Sequence, residues 1–112
     1  LEDEVKKPTI PDEVKENALQ TIERFNLRKM AKTGSRYLAR FEGKYLYLDR
    51  EDFGNVGPIC RLEYRGTGKP WGFAIHKSSS GSYDPKESWF PGFELVDGTV
   101  EGALKAGMEA YS

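Results

Sequence analysis

Thiol and imidazole are almost missing from this sequence: Cys60 and His76 are the only cysteine and histidine among its 112 residues. A single thiol cannot close an intrachain disulfide, so a disulfide-built scaffold is excluded. One imidazole and one thiol are too few for a His/Cys metal centre, and Asp49, Glu51 and Asp52 lack the spacing of a calcium loop. No metal and no cofactor is expected. Apolar runs reach only a few residues, so nothing reads as a membrane span. No signal or transit pattern opens the chain, and the expected location is the cytoplasm. Charge of one sign is lacking too. The 17 Lys+Arg and 18 Asp+Glu leave a net charge of −1, which argues against bulk polyanion binding.

What is present is enough for one folded domain. Apolar residues make up 38% of the chain and aromatics 12%, which offsets ordering entropy at so small a net charge. Residues 1–9 are charged and aperiodic and read as a loose arm; residues 10–112 read as a single domain. Charge is uneven along the chain. Residues 21–65 hold ten basic and six acidic groups, while the segments before and after are net acidic. A basic middle can be a binding surface, or ordinary scatter.

A first helix is expected to start near Pro11, with Asp12, Glu13 and Glu16 favoured by the dipole of its first turn. Val14, Ala18, Ile22 and Phe25 recur at helical spacing. Arg28, Lys29 and Lys32 suit its last turns, and Gly34 is the expected stop. From Ser35 the period becomes two. Tyr37, Ala39 and Phe41 alternate with Arg36, Leu38 and Arg40, and Lys44 to Arg50 continues the pattern. A two-residue loop at Glu42-Gly43 would set Ala39 opposite Leu46 and Tyr37 opposite Leu48, giving one apolar face and one polar face. A third strand is read over residues 58–65 and a fourth over 71–77. A loop over 65–70 between them pairs Tyr64 with Trp71 and Cys60 with Ile75. Residues 78–98 read as a long connection, serine-rich at first and then carrying Tyr83, Trp89, Phe90 and Phe93. A last helix begins near Asp97 or Thr99, both good N-caps. Its stripe Gly102, Ala106, Ala110 suits either close packing on a sheet or a dimer seam.

The expected fold is α+β and two-layered: a four-stranded antiparallel sheet of two hairpins, flanked by an N-terminal and a C-terminal helix, in the order α-β-β-β-β-α. No family signature is present. The element order is similar to that of small nucleic-acid-binding sheets closed by a terminal helix, a likeness of architecture alone.

Chemistry is sparse. Cys60 and His76 fall on opposite faces of the expected sheet, so they cannot form a dyad. Gly66-Thr67-Gly68-Lys69 resembles a piece of a phosphate loop, but it sits between two strands and reads as a hairpin loop. The balance leans away from an enzyme. The polar face collects Arg36, Arg40, Tyr45, Tyr47, Arg61, Arg65 and His76 over the small residues Gly72 and Ala74. Rings and guanidiniums on a sheet face suit single-stranded nucleic acid, a peptide or an anionic metabolite. Trp89, Phe90 and Phe93 are candidates for an interface, such as that of a homodimer. The favoured function is a small non-enzymatic binding or accessory domain, acting through the sheet face or the aromatic loop 83–93. The alternatives are single-stranded nucleic-acid binding on the Arg/Tyr face, and a small-ligand protein or enzyme with a pocket under residues 78–98.

Overall fold

The structure is a computed structural model that describes residues 9–112; the expected arm falls outside the described residues apart from exposed Thr9. Helix α1 spans Asp12–Phe25, with Pro11 extended at its N-cap, where the missing N–H costs nothing. Five strands follow: β1 (Ser35–Glu42), β2 (Tyr45–Asp52), β3 (Asn55–Glu63), β4 (Gly72–Lys77) and β5 (Ser82–Asp84), then α2 (Val100–Ala110). The sheet is an antiparallel meander in the order β1-β2-β3-β4-β5. The fold is α+β with both terminal helices as expected, but the sheet has five strands rather than four. The fifth hides in the serine-rich connection. Three residues are too few to show a period of two, and only Gly81, at φ 68°, marks the turn that returns the chain.

The first hairpin and the end of the first helix differ from expectation. The first hairpin does have a two-residue loop, but it is Gly43-Lys44, so Phe41 meets Leu46 and Ala39 meets Leu48. Gly43 sits at φ 58°. A type II′ turn asks for glycine at its first central position, and the expected loop would have put it second. The pairing moves by two residues, so every side chain keeps its face. The first helix does not run on regularly to Gly34. After Phe25 it widens into a π-helical turn, Asn26–Met30, and Gly34 reverses the chain at φ 81°. The Asn26 amide leaves the helix to bind the edge strand: the Tyr37 N–H donates to Oδ1 (2.8 Å) and Nδ2 donates to the Tyr37 carbonyl (3.1 Å).

The third strand starts at Asn55, earlier than expected, and is bulged. Leu48 pairs with Cys60 and Asp49 with Pro58, leaving Ile59 as the extra residue. Proline inside a central strand is tolerated at such a bulge. The bulge also breaks the alternation, so Ile59 and Cys60 are both buried. The β3–β4 pairing is the one the sequence suggested, Cys60 opposite Ile75, and the Tyr64 and Trp71 rings meet edge to face at 5.5 Å.

Both helices lie on the face that carries Tyr37, Leu46, Leu48, Cys60, Leu62 and Ile75. Leu46, Leu48 and Leu104 are fully buried. Tyr37 binds the layers together. Its ring meets Phe25 of α1 at 5.9 Å, and its hydroxyl donates to the Leu104 carbonyl of α2 at 2.7 Å. Burial pushes its phenol pKa well up. Gly107 makes the approach feasible, because a Cβ there would lie 2.5 Å from the Tyr37 hydroxyl and 2.6 Å from Ile59 Cγ2. Gly107→Ala should therefore destabilise the domain by about 1–3 kcal/mol through overpacking. Tyr37→Phe should cost about 1 kcal/mol, the net worth of the hydrogen bond. Urea midpoints check both; an unchanged midpoint for Gly107→Ala would refute the close contact.

Candidate functional site

The side of the sheet away from the helices collects the residues that the sequence marked. Tyr45 and Tyr47 stand two apart on β2, their ring centroids 6.1 Å apart. Tyr47 meets Tyr83 of β5 at 5.3 Å, and Tyr83 meets His76 of β4 at 5.1 Å, both edge to face. Arginines interleave with this row. Arg40 lies over Tyr47 at 4.6 Å; Arg61 lies over Tyr45 at 4.4 Å and Tyr83 at 5.4 Å. Such contacts are worth about 0.5–1 kcal/mol each at exposed sites. The small residues of β4 make room for the guanidiniums. Arg61 is directly opposite Ala74, and a Cβ on Gly72 would lie 2.6 Å from Arg65 Nη2. Tyr83 is the member that sequence reasoning left out of the face, because it sits in the unrecognised fifth strand.

Most of the positive charge here is already answered. Arg36 binds Glu51 at 2.9 Å and Lys44 binds Glu63 at 2.8 Å. Arg65 is 3.6 Å from Glu63. Arg40 binds Asp49, a nearly buried carboxylate, at 2.8 Å. The side-chain hydrogen bond to Asp49 raises the Arg40 pKa, and the Tyr83 phenol is raised by burial and by the Asp49 charge. Arg61 forms no ion pair among the described residues.

The aromatic segment folds away from this face. Phe90 stacks on Phe73, a residue of the helix side, at 5.9 Å and 20° between planes, and Phe93 meets Phe90 edge to face. Gly92 (φ 95°) lies against Ala106 and Glu109 of α2. Gly102 lies against Asp97. The small-residue line of α2 thus receives the chain's own loop at Gly102 and Ala106. Trp89 projects furthest, 92% exposed against 44% for Phe93, on a loop held by its N–H to Glu87 (2.8 Å) and by the Lys77–Glu87 ion pair (2.8 Å).

Several hollows lie around the helices. One, about 750 Å³, runs between α1 and the start of α2 over Trp71, Val14 and Val100. The N-terminus of α2 is not open to an anion there. Thr99 caps Gly102 N–H at 2.9 Å, and Asp97 accepts from the Thr99 hydroxyl at 2.6 Å, a bond that holds the Asp97 carboxyl below its usual range. Another, about 270 Å³, lies under residues 87–90 beside Lys77 and Tyr111. Cys60 is fully buried, which raises its thiol pKa, and it pairs with Ile75 so that His76 points to the opposite side. Among the described residues no group of three His, Cys, Asp or Glu side chains converges on a metal position, and no helix is long and apolar enough to cross a membrane.

No family model, curated protein or solved structure matches the chain.

Hydrogen bonds hold several carboxylates below their usual pKa: Glu63 through Lys44, Asp52 through Ser35, Glu87 through Lys77, and Asp97 through Thr99. A lowered folded-state pKa gives stability that is complete above the unfolded value and lost as pH falls through the folded one. The urea midpoint should hold from pH 7 to 5 and fall below about pH 4. A midpoint unchanged down to pH 3 would contradict these bonds.

Proposed function

We propose that this chain is a non-enzymatic docking domain that binds a protein partner through the solvent-facing side of its sheet. The observation that carries the reading is Arg61, held between the Tyr45 and Tyr83 rings without an ion pair of its own among the described residues. Its stem and plane are ordered before any partner arrives, and its donors remain available for a carboxylate or backbone carbonyl. Tyrosine and arginine are the residues that protein interfaces enrich and that carry their binding energy. The surrounding charges fit the same reading. Arg36, Arg40 and Lys44 are neutralised by Glu51, Asp49 and Glu63, so the face offers complementarity to a mixed surface rather than a uniform positive field.

Single-stranded nucleic acid is the second reading, favoured by the unbroken row of rings with arginines between them. Against it, a phosphate chain would have to displace the carboxylates that hold three of the basic side chains, and the chain's net charge is −1.

One experiment separates them. The immobilised chain is challenged with extract from its native source, alongside Arg61→Ala, Tyr45→Ala/Tyr47→Ala and the control Trp89→Ala. Fluorescence anisotropy with labelled oligonucleotides at low salt runs in parallel. A protein held by wild type and Trp89→Ala should bind Arg61→Ala about thirtyfold more weakly, the hot-spot scale of about 2 kcal/mol, with no oligonucleotide binding. Oligonucleotide binding that weakens about tenfold in Tyr45→Ala/Tyr47→Ala would favour the second reading. A partner lost with Trp89→Ala, and indifferent to Arg61→Ala, would place the site on the aromatic loop.

A further inference from the structure

Among the described residues β1 is an edge strand, and its outer edge is closed along half its length and open along the rest. In an antiparallel pair, alternate residues turn their N–H and C=O groups toward the neighbouring strand and away from it. Tyr37 turns outward, because its N–H and C=O both bind the Asn26 amide. Ser35, Ala39 and Phe41 therefore turn outward as well. Thr33 Oγ1 accepts from the Ser35 N–H at 3.1 Å and lies 3.4 Å from its carbonyl oxygen. Side chains thus occupy the first two outward positions. Among the described residues nothing occupies those of Ala39 and Phe41. Such an edge is a template for another strand.

We propose that this open half of β1 pairs with the same edge of a second copy of the chain, antiparallel and centred on Phe41. Charge complementarity selects the occupant and the register. With Phe41 opposite Phe41 of the copy, Arg40 faces Glu42 of the copy, and Glu42 faces its Arg40, on the Arg/Tyr side of the sheet. Opposite charges placed so are favourable, and like charges are not. The neighbouring register, Ala39 opposite Phe41, would put Arg40 against Arg40. A register centred on Ala39 would need the Tyr37 groups that Asn26 already holds. Glu42 is available for the role: its side chain is mostly exposed and 3.6 Å from its own Arg40, which keeps Asp49 as its closer partner. The two sheets become one, and the docking faces of two copies join into a continuous surface about a two-fold axis.

Equilibrium sedimentation of the full chain tests this, with circular dichroism confirming that each variant folds. Wild type should be dimeric at tens of micromolar. Ala39→Pro removes only an outward N–H, so the fold should persist while the dimer is lost. Glu42→Arg sets guanidiniums against each other twice and should weaken the dimer about tenfold or more. High salt should recover part of that loss, and Trp89→Ala should change nothing. If Ala39→Pro does not fold, Glu42→Arg decides. A monomeric wild type overturns the proposal, as does a dimer indifferent to Glu42→Arg.

Discussion

The layers of this domain are held in register by one buried hydroxyl. Tyr37 stands on the edge strand, reaches across the helix layer and donates to the Leu104 carbonyl at 2.7 Å. A buried phenol needs a partner, so the position of α2 over the sheet is set to within a hydrogen bond's tolerance. Gly107 and Ile59 complete the constraint. The glycine lets the helix come close enough, and the β3 bulge turns Ile59 into the same contact. Asn26 ties the other end of Tyr37, its backbone, to the first helix. One residue thus couples α1, β1 and α2, which sequence alone separates by up to 67 positions.

With α2 fixed, the path of the long connection follows. Its aromatic part covers apolar surface on the helix side, where Phe73 offers a ring and Ala106 and Gly102 offer close approach. Phe90 stacks on Phe73, Gly92 fits against Ala106 and Asp97 fits against Gly102. At the far end of α2, Tyr111 donates to the His76 carbonyl, and its own carbonyl accepts from Arg50. The consequence for function is indirect. Because the loop is drawn to the helices, the opposite face of the sheet keeps its row of tyrosines and arginines in contact with solvent.

The sequence made the two-faced sheet legible wherever alternation ran for several residues. Tyr37 to Phe41, Tyr45 to Leu48 and Cys60 to Tyr64 each put bulky apolar side chains on one face, and a pairing error of two residues did no harm to that division. It said much less where a single residue decides geometry. Gly43 chose its turn by φ, Ile59 left the alternation through a bulge that Pro58 hints at, and Ser82–Asp84 is shorter than any period. The candidate site was legible as a residue set, since Arg61, Tyr45 and Tyr47 share one face. What could not be read was their state: that carboxylates already engage Arg36, Arg40 and Arg65, that Tyr83 completes the row, and that Arg61 is the cation held between rings. Ion pairs depend on side-chain reach across neighbouring strands, and strand spacing alone does not fix it.

The long connection packs on the helix side and leaves the Arg/Tyr face open. Nuclear Overhauser contacts of the Phe90 ring read this directly in solution. Contacts are expected from Phe90 to Phe73 and Phe93, with none from Phe90 or Trp89 to Tyr45, Tyr47 or Ala74. Contacts from either ring to Tyr47 or Ala74 would cover the face and contradict this arrangement.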